Sequence, residues 1–185
     1  MNRNKLLVVF IFTDVALLSL YELSKWILEA SHLAYRNMVT YTVYGVLACT
    51  TLVVFILILE RLYKKAREKQ GRLVVRILSG IGMAAAVVVA VLVAVFGSVL
   101  VIFTHTPEHV VEKDGRTMVA CVDSFLQVEV RYYEYVNSFV MESGIAIRED
   151  YGNGGYDPFE REEMPKVQRY MYYDRNGKVI QSKGW

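Results

Sequence analysis

The sequence predicts an α-helical membrane protein with three transmembrane helices and a small, mostly antiparallel β domain at its C-terminal end. An apolar run extends unbroken from Ile77 to Phe103, two shorter apolar runs precede it, and beyond Phe103 the hydrophobic period changes from helical to alternating. Composition agrees, because 54% of the 185 residues are hydrophobic, more than a soluble domain usually carries.

The spans are expected at about 6–21, 38–59 and 77–103, and the third exceeds the roughly 20 residues that cross a hydrocarbon core of about 30 Å. Arg3 and Lys5 precede the first span. Arg61, Lys64, Lys65, Arg67, Lys69, Arg72 and Arg76 crowd the 60–76 segment against Glu60 and Glu68 alone. The lysine and arginine bias predicts a multi-pass plasma-membrane protein with its N-terminus and the 60–76 loop cytoplasmic and residues 104–185 extracytoplasmic. That C-terminal part holds ten basic and fourteen acidic residues. Asp14 inside the first apolar run, and Tyr21-Glu22-Leu23-Ser24 after it in place of small residues, argue against removal of the run as a signal peptide.

In the third span Gly82, Ala86, Ala90, Ala94 and Ser98 recur at every fourth position. In lipid such small residues let another backbone approach closely, so this stripe is expected to pack against a protein partner or a second copy of the chain. Asp14 is the sharpest single residue. An acid at mid-span costs about 2.5–3.5 kcal/mol on the insertion scale, while each Leu, Ile, Phe or Val returns about 0.3–0.6. Eleven such residues between Leu6 and Leu20 outweigh it, and the acid should face protein. Matching depths from the cytoplasmic edge places Thr50 and Thr51 level with it, which predicts a protonated Asp14 hydrogen-bonded to one of them. Pairing with a cation in another membrane protein, or proton relay, are the rival roles.

Between the first two spans, Glu22, Lys25, Glu29, His32 and Arg36 share one helical face and Leu23, Trp26, Ile27, Ala30 and Leu33 the opposite one. This amphipathic segment, 22–36, continues the first helix or lies in the outer interface, and its apolar face is expected to pack on the protein's own outer domain in preference to lipid or a partner.

Past Phe103, Leu126, Val128, Val130 and Tyr132 alternate with polar residues as a half-buried strand does. Asp114-Gly115 and Asn176-Gly177 predict tight hairpins, Ser143-Gly144 a third, and residues 151–158 an open loop. Eight of the thirteen tyrosines fall between Tyr132 and Tyr173. Tyrosine is common both in strands and in recognition surfaces, so Tyr132, Tyr133, Tyr135, Tyr170, Tyr172 and Tyr173 are the candidate binding face, with plain sheet filling as the alternative.

Chemistry-bearing constellations are weak. His105 and His109 are four apart, but Pro107 between them argues for a solvated juxtamembrane linker over a metal-binding helix turn. Glu149, Asp150, Asp157, Glu160, Glu162 and Glu163 do not follow the order of an EF-hand loop and read as a solvated charged surface. Cys121 in a strand reads as a structural thiol, and it is not expected to meet Cys49. No nucleophile motif or phosphate loop is present, so no enzyme, metal or cofactor is expected. The basic residues sit in one short loop with a single aromatic, Tyr63, which does not fit nucleic-acid binding.

The closing stretch Tyr172-Tyr173-Asp174-Arg175-Asn176-Gly177-Lys178 through Trp185 resembles one unit of the aromatic-glycine, choline-binding type of cell-wall repeat. In that family sites form between successive repeats. One copy occurs here, and no ligand-binding residue carries over. The expected function is therefore a membrane-anchored protein-binding module or accessory subunit displaying a tyrosine-rich β domain, in one form a membrane-held immunity protein. An extracytoplasmic ligand sensor or small transport component is the alternative.

Overall fold

The computed structural model describes residues 3–68 and 73–184. Three long helices, α1 (Arg3–Ala30), α2 (Asn37–Glu68) and α3 (Leu73–Thr104), are joined by a three-residue strand β1 (Leu33–Tyr35) between the first two. After α3 come β2 (Glu108–Lys113), β3 (Arg116–Asp123), β4 (Gln127–Tyr135), β5 (Val140–Asn153), β6 (Arg169–Tyr173) and β7 (Val179–Lys183). All three helices are long and apolar enough to cross a membrane. Lys69 and Arg72 of the basic segment lie outside the described residues.

α1 holds neither glycine nor proline, so it runs through the boundary expected at Tyr21 and stops at Ala30. Ser31 and His32 donate their N–H groups to Leu28 and Glu29 carbonyls at 2.9 and 3.1 Å, tightening the last turn, and His32 takes the left-handed conformation at φ 57°. The helical phase read from 22 to 36 therefore fails at its end: Leu33 is in β1, and the Arg36 carbonyl accepts the N–H groups of Val39 and Thr40 in the first turn of α2. Hydroxyls within the apolar helices return to their own backbone, Thr13 to Val9, Thr42 to Met38 and Ser98 to Ala94, and so need no second partner.

The strands form one antiparallel sheet in the order β2-β3-β4-β5-β6-β7, with β1 pairing β5 on the side that β6 occupies further along. Asp114 and Gly115 supply two positive φ values, 51° and 73°, to the two-residue β2–β3 turn, as its type demands. In the β6–β7 turn Gly177 sits at φ 75°, and Asp174 Oδ1 accepts the N–H groups of Asn176 and Lys178. Ser143-Gly144 is no turn. Those residues bulge within β5, between the pairs Tyr133↔Ile145 and Tyr135↔Met141, and the turn before β5 is made by Asn137, whose side-chain oxygen accepts from Phe139 and Val140. Nor is 151–158 all loop, because β5 continues through Asn153.

Met118, Ala120, Val122, Val128, Val130, Tyr132, Ile147 and Tyr151 share one face of the sheet and form its core beneath Tyr156, Phe159 and Val167. Leu126, expected in this alternation, stands in the β3–β4 turn at 75% exposure. Glu22–Thr42 and the chain from Phe103 onward make one compact unit, and the remaining helical residues make another. Glu108 ties the first of these together. Its carboxylate accepts from Arg36 Nε at 3.1 Å and from the Asn37 backbone N–H at 2.7 Å, while the Asn37 side chain donates to Thr106. Residues 106–109 are therefore a packed latch and not a solvated linker, while His105 stays exposed.

Candidate binding cleft at the open edge of β5

Three strands compete for β5. β4 takes one side along its length. On the other side β1 covers Val140–Glu142 and β6 covers Ile147–Asp150. Ser143 N donates to His32 O at 2.9 Å, and beyond that bond neither ladder covers Gly144, Ile145 or Ala146. The interruption follows from local geometry, since His32 turns the chain into β1 and Asp174 turns it out of β6. A cleft of about 850 Å³ opens there, lined by the turn at Ser31–Leu33, the β5 bulge, the Asp174–Gly177 turn and the Arg116–Glu134 ion pair at 2.5 Å. Space around Gly144 is open, so an added Cβ would meet no atom within 4 Å. Sequence reasoning saw Ser143-Gly144 as a turn signal and missed the cleft, which depends on where two other strands stop.

The six candidate tyrosines do not form one face. Tyr132 is 1% exposed in the core, while Tyr133, its neighbour in the strand, points to the other side, as the pleat requires. Tyr172 packs against the core, and Tyr170 meets it edge-on at 5.7 Å. Tyr135 lies under the Arg36 guanidinium at 5.9 Å, and Tyr173 donates to Met171 Sδ and lines the cleft. Among the six, then, Tyr173 borders the cleft and Tyr132 is a core residue.

Of the six clustered acids, Glu160, Glu162 and Glu163 are exposed and Asp157 is half-buried, whereas the first two in the chain are not solvated. Glu149 and Asp150 are 4% and 1% exposed. Lys113 Nζ lies 2.5 Å from Glu149 Oε1, and the hydroxyls of Tyr132 and Tyr151 donate to Oε2 at 2.8 and 2.9 Å. Asp150 accepts from Gln127, from Arg169 and from Gly152 N. Burial pushes the Tyr132 and Tyr151 phenols well above their ordinary range, with the Glu149 charge adding to it. Asp157 caps the Pro158–Glu160 turn and holds His109 Nε2 at 2.7 Å, whereas the His105 ring rests near Tyr41. Among the described residues no group of three His, Cys, Asp or Glu is placed to hold a metal. The Cys121 thiol is pushed up to about 12 by burial, with nearby Glu108 adding to it, and both cysteines are free.

In the helical unit Thr50 Oγ1 lies 2.5 Å from Asp14 Oδ1, and Thr51 Oγ1 is 3.4 Å from Oδ2. Seven residues further along α1, the Tyr21 ring meets Tyr44 of α2 edge-on at 5.7 Å, which continues the same antiparallel register. Of the small-residue series, Ala86 and Ala90 are half-buried, while Gly82, Ala94 and Ser98 are exposed. Four residues turn an α-helix about 400°, so a strict spacing of four drifts about 40° per step and winds around α3 instead of holding one face.

Compared with protein-family models, curated proteins and solved structures, the chain matches none.

Proposed function

We propose that the chain is a three-span plasma-membrane protein that holds its sheet unit outside the cytoplasm and binds an extended segment of a partner protein along the open edge of β5. The observation that carries this reading is the uncovered run Gly144–Ala146 between β1 and β6, because a strand edge offers N–H and C=O groups to a peptide, and main-chain pairing of that kind supplies affinity. The cleft beside it gives side chains of the bound segment a place to go.

The membrane part of the reading rests on hydropathy and on length. The first span as bounded at Tyr21 is 16 residues, about 24 Å at 1.5 Å per residue, short of a core of about 30 Å. Continuation of α1 to Ala30 supplies the missing turn and brings Trp26 to headgroup depth, where tryptophan is favoured. Positive charge at 60–76 sets the cytoplasmic side. No residue of the Gly80–Val99 stretch of α3 is fully buried within the chain, which leaves Gly82, Ala94, Ser98 and their exposed neighbours for lipid or for another helix.

Gly144→Leu tests the binding role. An added Cβ there meets no atom within 4 Å, so the variant should fold while its side chain crowds the cleft beside the edge. Affinity capture from native membranes in mild detergent should return a discrete partner with the wild type and lose it with Gly144→Leu. A partner retained by that variant refutes binding at this edge. The cleft volume also falls in the range of about 300–1,000 Å³ that small ligands occupy, which favours a ligand sensor as the second reading. A thermal shift with small polar metabolites that Gly144→Leu abolishes, with no protein captured, selects it.

A further inference from the structure

We infer that the β3–β4 turn dips into the lipid headgroup layer through Phe125 and Leu126 and so lays the sheet unit against the bilayer surface. This placement rests on the spanning role proposed above for α3. A turn between two strands is ordinarily polar, yet Ser124-Phe125-Leu126 puts two large apolar side chains at its tip, both exposed.

The Phe125 ring meets Phe103 edge-on, centroids 4.9 Å apart. Phe103 is the last apolar residue of the run that begins at Ile77, and α3 ends one residue later. The end of a membrane-spanning apolar run lies at the edge of the hydrocarbon core, so a side chain touching Phe103 lies close to that depth. The turn is braced at that level. Val122 N donates to Pro107 O at 2.9 Å, fixing the end of β3 to the chain just past α3, and Gly154 N donates to Leu126 O at 3.4 Å. Thr106 N donates to Tyr41 Oη at 3.2 Å, so the start of α2 adds a second amphipathic ring near the same level.

The chemistry of the tip selects lipid as the occupant. Phe125 and Leu126 present apolar surface with no side-chain donor or acceptor, and the acid at the base of the turn, Asp123, is paired with Arg131 at 3.5 Å, which blunts its repulsion from anionic headgroups. Continuity with α3 supplies the lipid surface at the right height. Insertion by about 5–10 Å, the usual depth of an apolar face in the headgroup region, would cover both side chains.

The test is site-directed spin labelling of the full chain in vesicles of phosphatidylcholine and phosphatidylglycerol. Cys49→Ala and Cys121→Ala remove the native thiols, and Leu126→Cys and Val93→Cys are labelled in separate samples. The label at 93, exposed on α3, should collide with oxygen and be shielded from a water-soluble nickel complex. The label at 126 should be shielded from nickel several-fold compared with the same sample in detergent-free urea, at a depth shallower than 93. A label at 126 as open to nickel as one in water, while 93 remains shielded, overturns the dipping turn and leaves the spanning helix intact. If 93 is open to nickel as well, the spanning role fails and the placement of the turn falls with it.

Discussion

The Glu108 carboxylate accepts the backbone N–H of Asn37 at 2.7 Å, joining the first turn of α2 to the first long strand of the sheet. A helix N-terminus has unpaired N–H groups and a partial positive charge, and a carboxylate there satisfies both. The same carboxylate takes Arg36 Nε, so one acid binds the helix start, the β1 connector and β2. Glu108→Ala should destabilise the sheet unit by about 1.5–3 kcal/mol, the range for hydrogen bonds to charged groups, with Glu108→Gln milder. Limited proteolysis of the purified chain in detergent, comparing cleavage rates in the 31–37 connector, measures it.

Glu149 is buried beneath Lys113, Tyr132 and Tyr151, and each of these loses a partner when it is removed. Glu149→Ala should cost about 3–5 kcal/mol, as for breaking a buried ion pair. Tyr132→Phe removes one donor and should cost about 1–3 kcal/mol. Urea unfolding followed by tyrosine fluorescence ranks the two, and equal losses would contradict Glu149 as the hub.

Alkaline pH should unfold the sheet unit. Burial raises the phenols of Tyr132, Tyr133 and Tyr151 above the ordinary 10.0, and it brings Tyr172, beside Asp114, to about 12. The Cys121 thiol moves the same way, from 9.0 to about 12. The folded chain thus keeps protons that the unfolded chain releases, so the stabilisation is complete below pH 9–10 and is lost as pH climbs toward 12. A melting temperature that falls from pH 9 upward, together with slow alkylation of Cys121 at neutral pH, is expected.

Asp14 meets Thr50 across α1 and α2. Thr50 Oγ1 donates to Asp14 Oδ1 and also lies within reach of the Val46 and Leu47 carbonyls, so its one hydroxyl hydrogen is shared among three acceptors. Asp14→Asn should preserve the pairing, whereas Asp14→Leu should lose about 0.6 kcal/mol, the average for hydrogen bonds between membrane helices, and at most about 1.7. Thermal stability in detergent, followed by size-exclusion chromatography, separates the two. A Leu variant that matches the wild type in stability yet loses a captured partner assigns Asp14 to partner pairing.

Helices and hairpins were legible because their causes are local. Apolar length marks α1, α2 and α3, and the positive φ values at Asp114, Gly115 and Gly177 explain why those turns stood out in the residue pattern. What the pattern missed depends on distant partners. β1 hides inside a helical phase because three residues carry no period of their own, and they become a strand because Val140–Glu142 present an edge to them. Residues 143–144 read as a turn because serine and glycine do not report which strands lie alongside. Glu108 looked like part of a solvated linker because its partners, Arg36 and Asn37, stand about 70 residues earlier in the chain. Tyr132 and Tyr133 both add to the tyrosine content of the region, yet a strand points neighbours to opposite faces, so that content by itself does not mark one surface.

Photocrosslinking in living cells from a benzophenone side chain placed at Gly144, read by mass spectrometry, tests capture at the open β5 edge most directly. A single adduct whose crosslinked peptide maps to one extended segment of one partner, absent when the benzophenone replaces Ile180 on β7, is the expected result. Adducts that are absent, or spread over many unrelated proteins, while the variant remains folded in the membrane, would contradict a peptide-binding role for this edge.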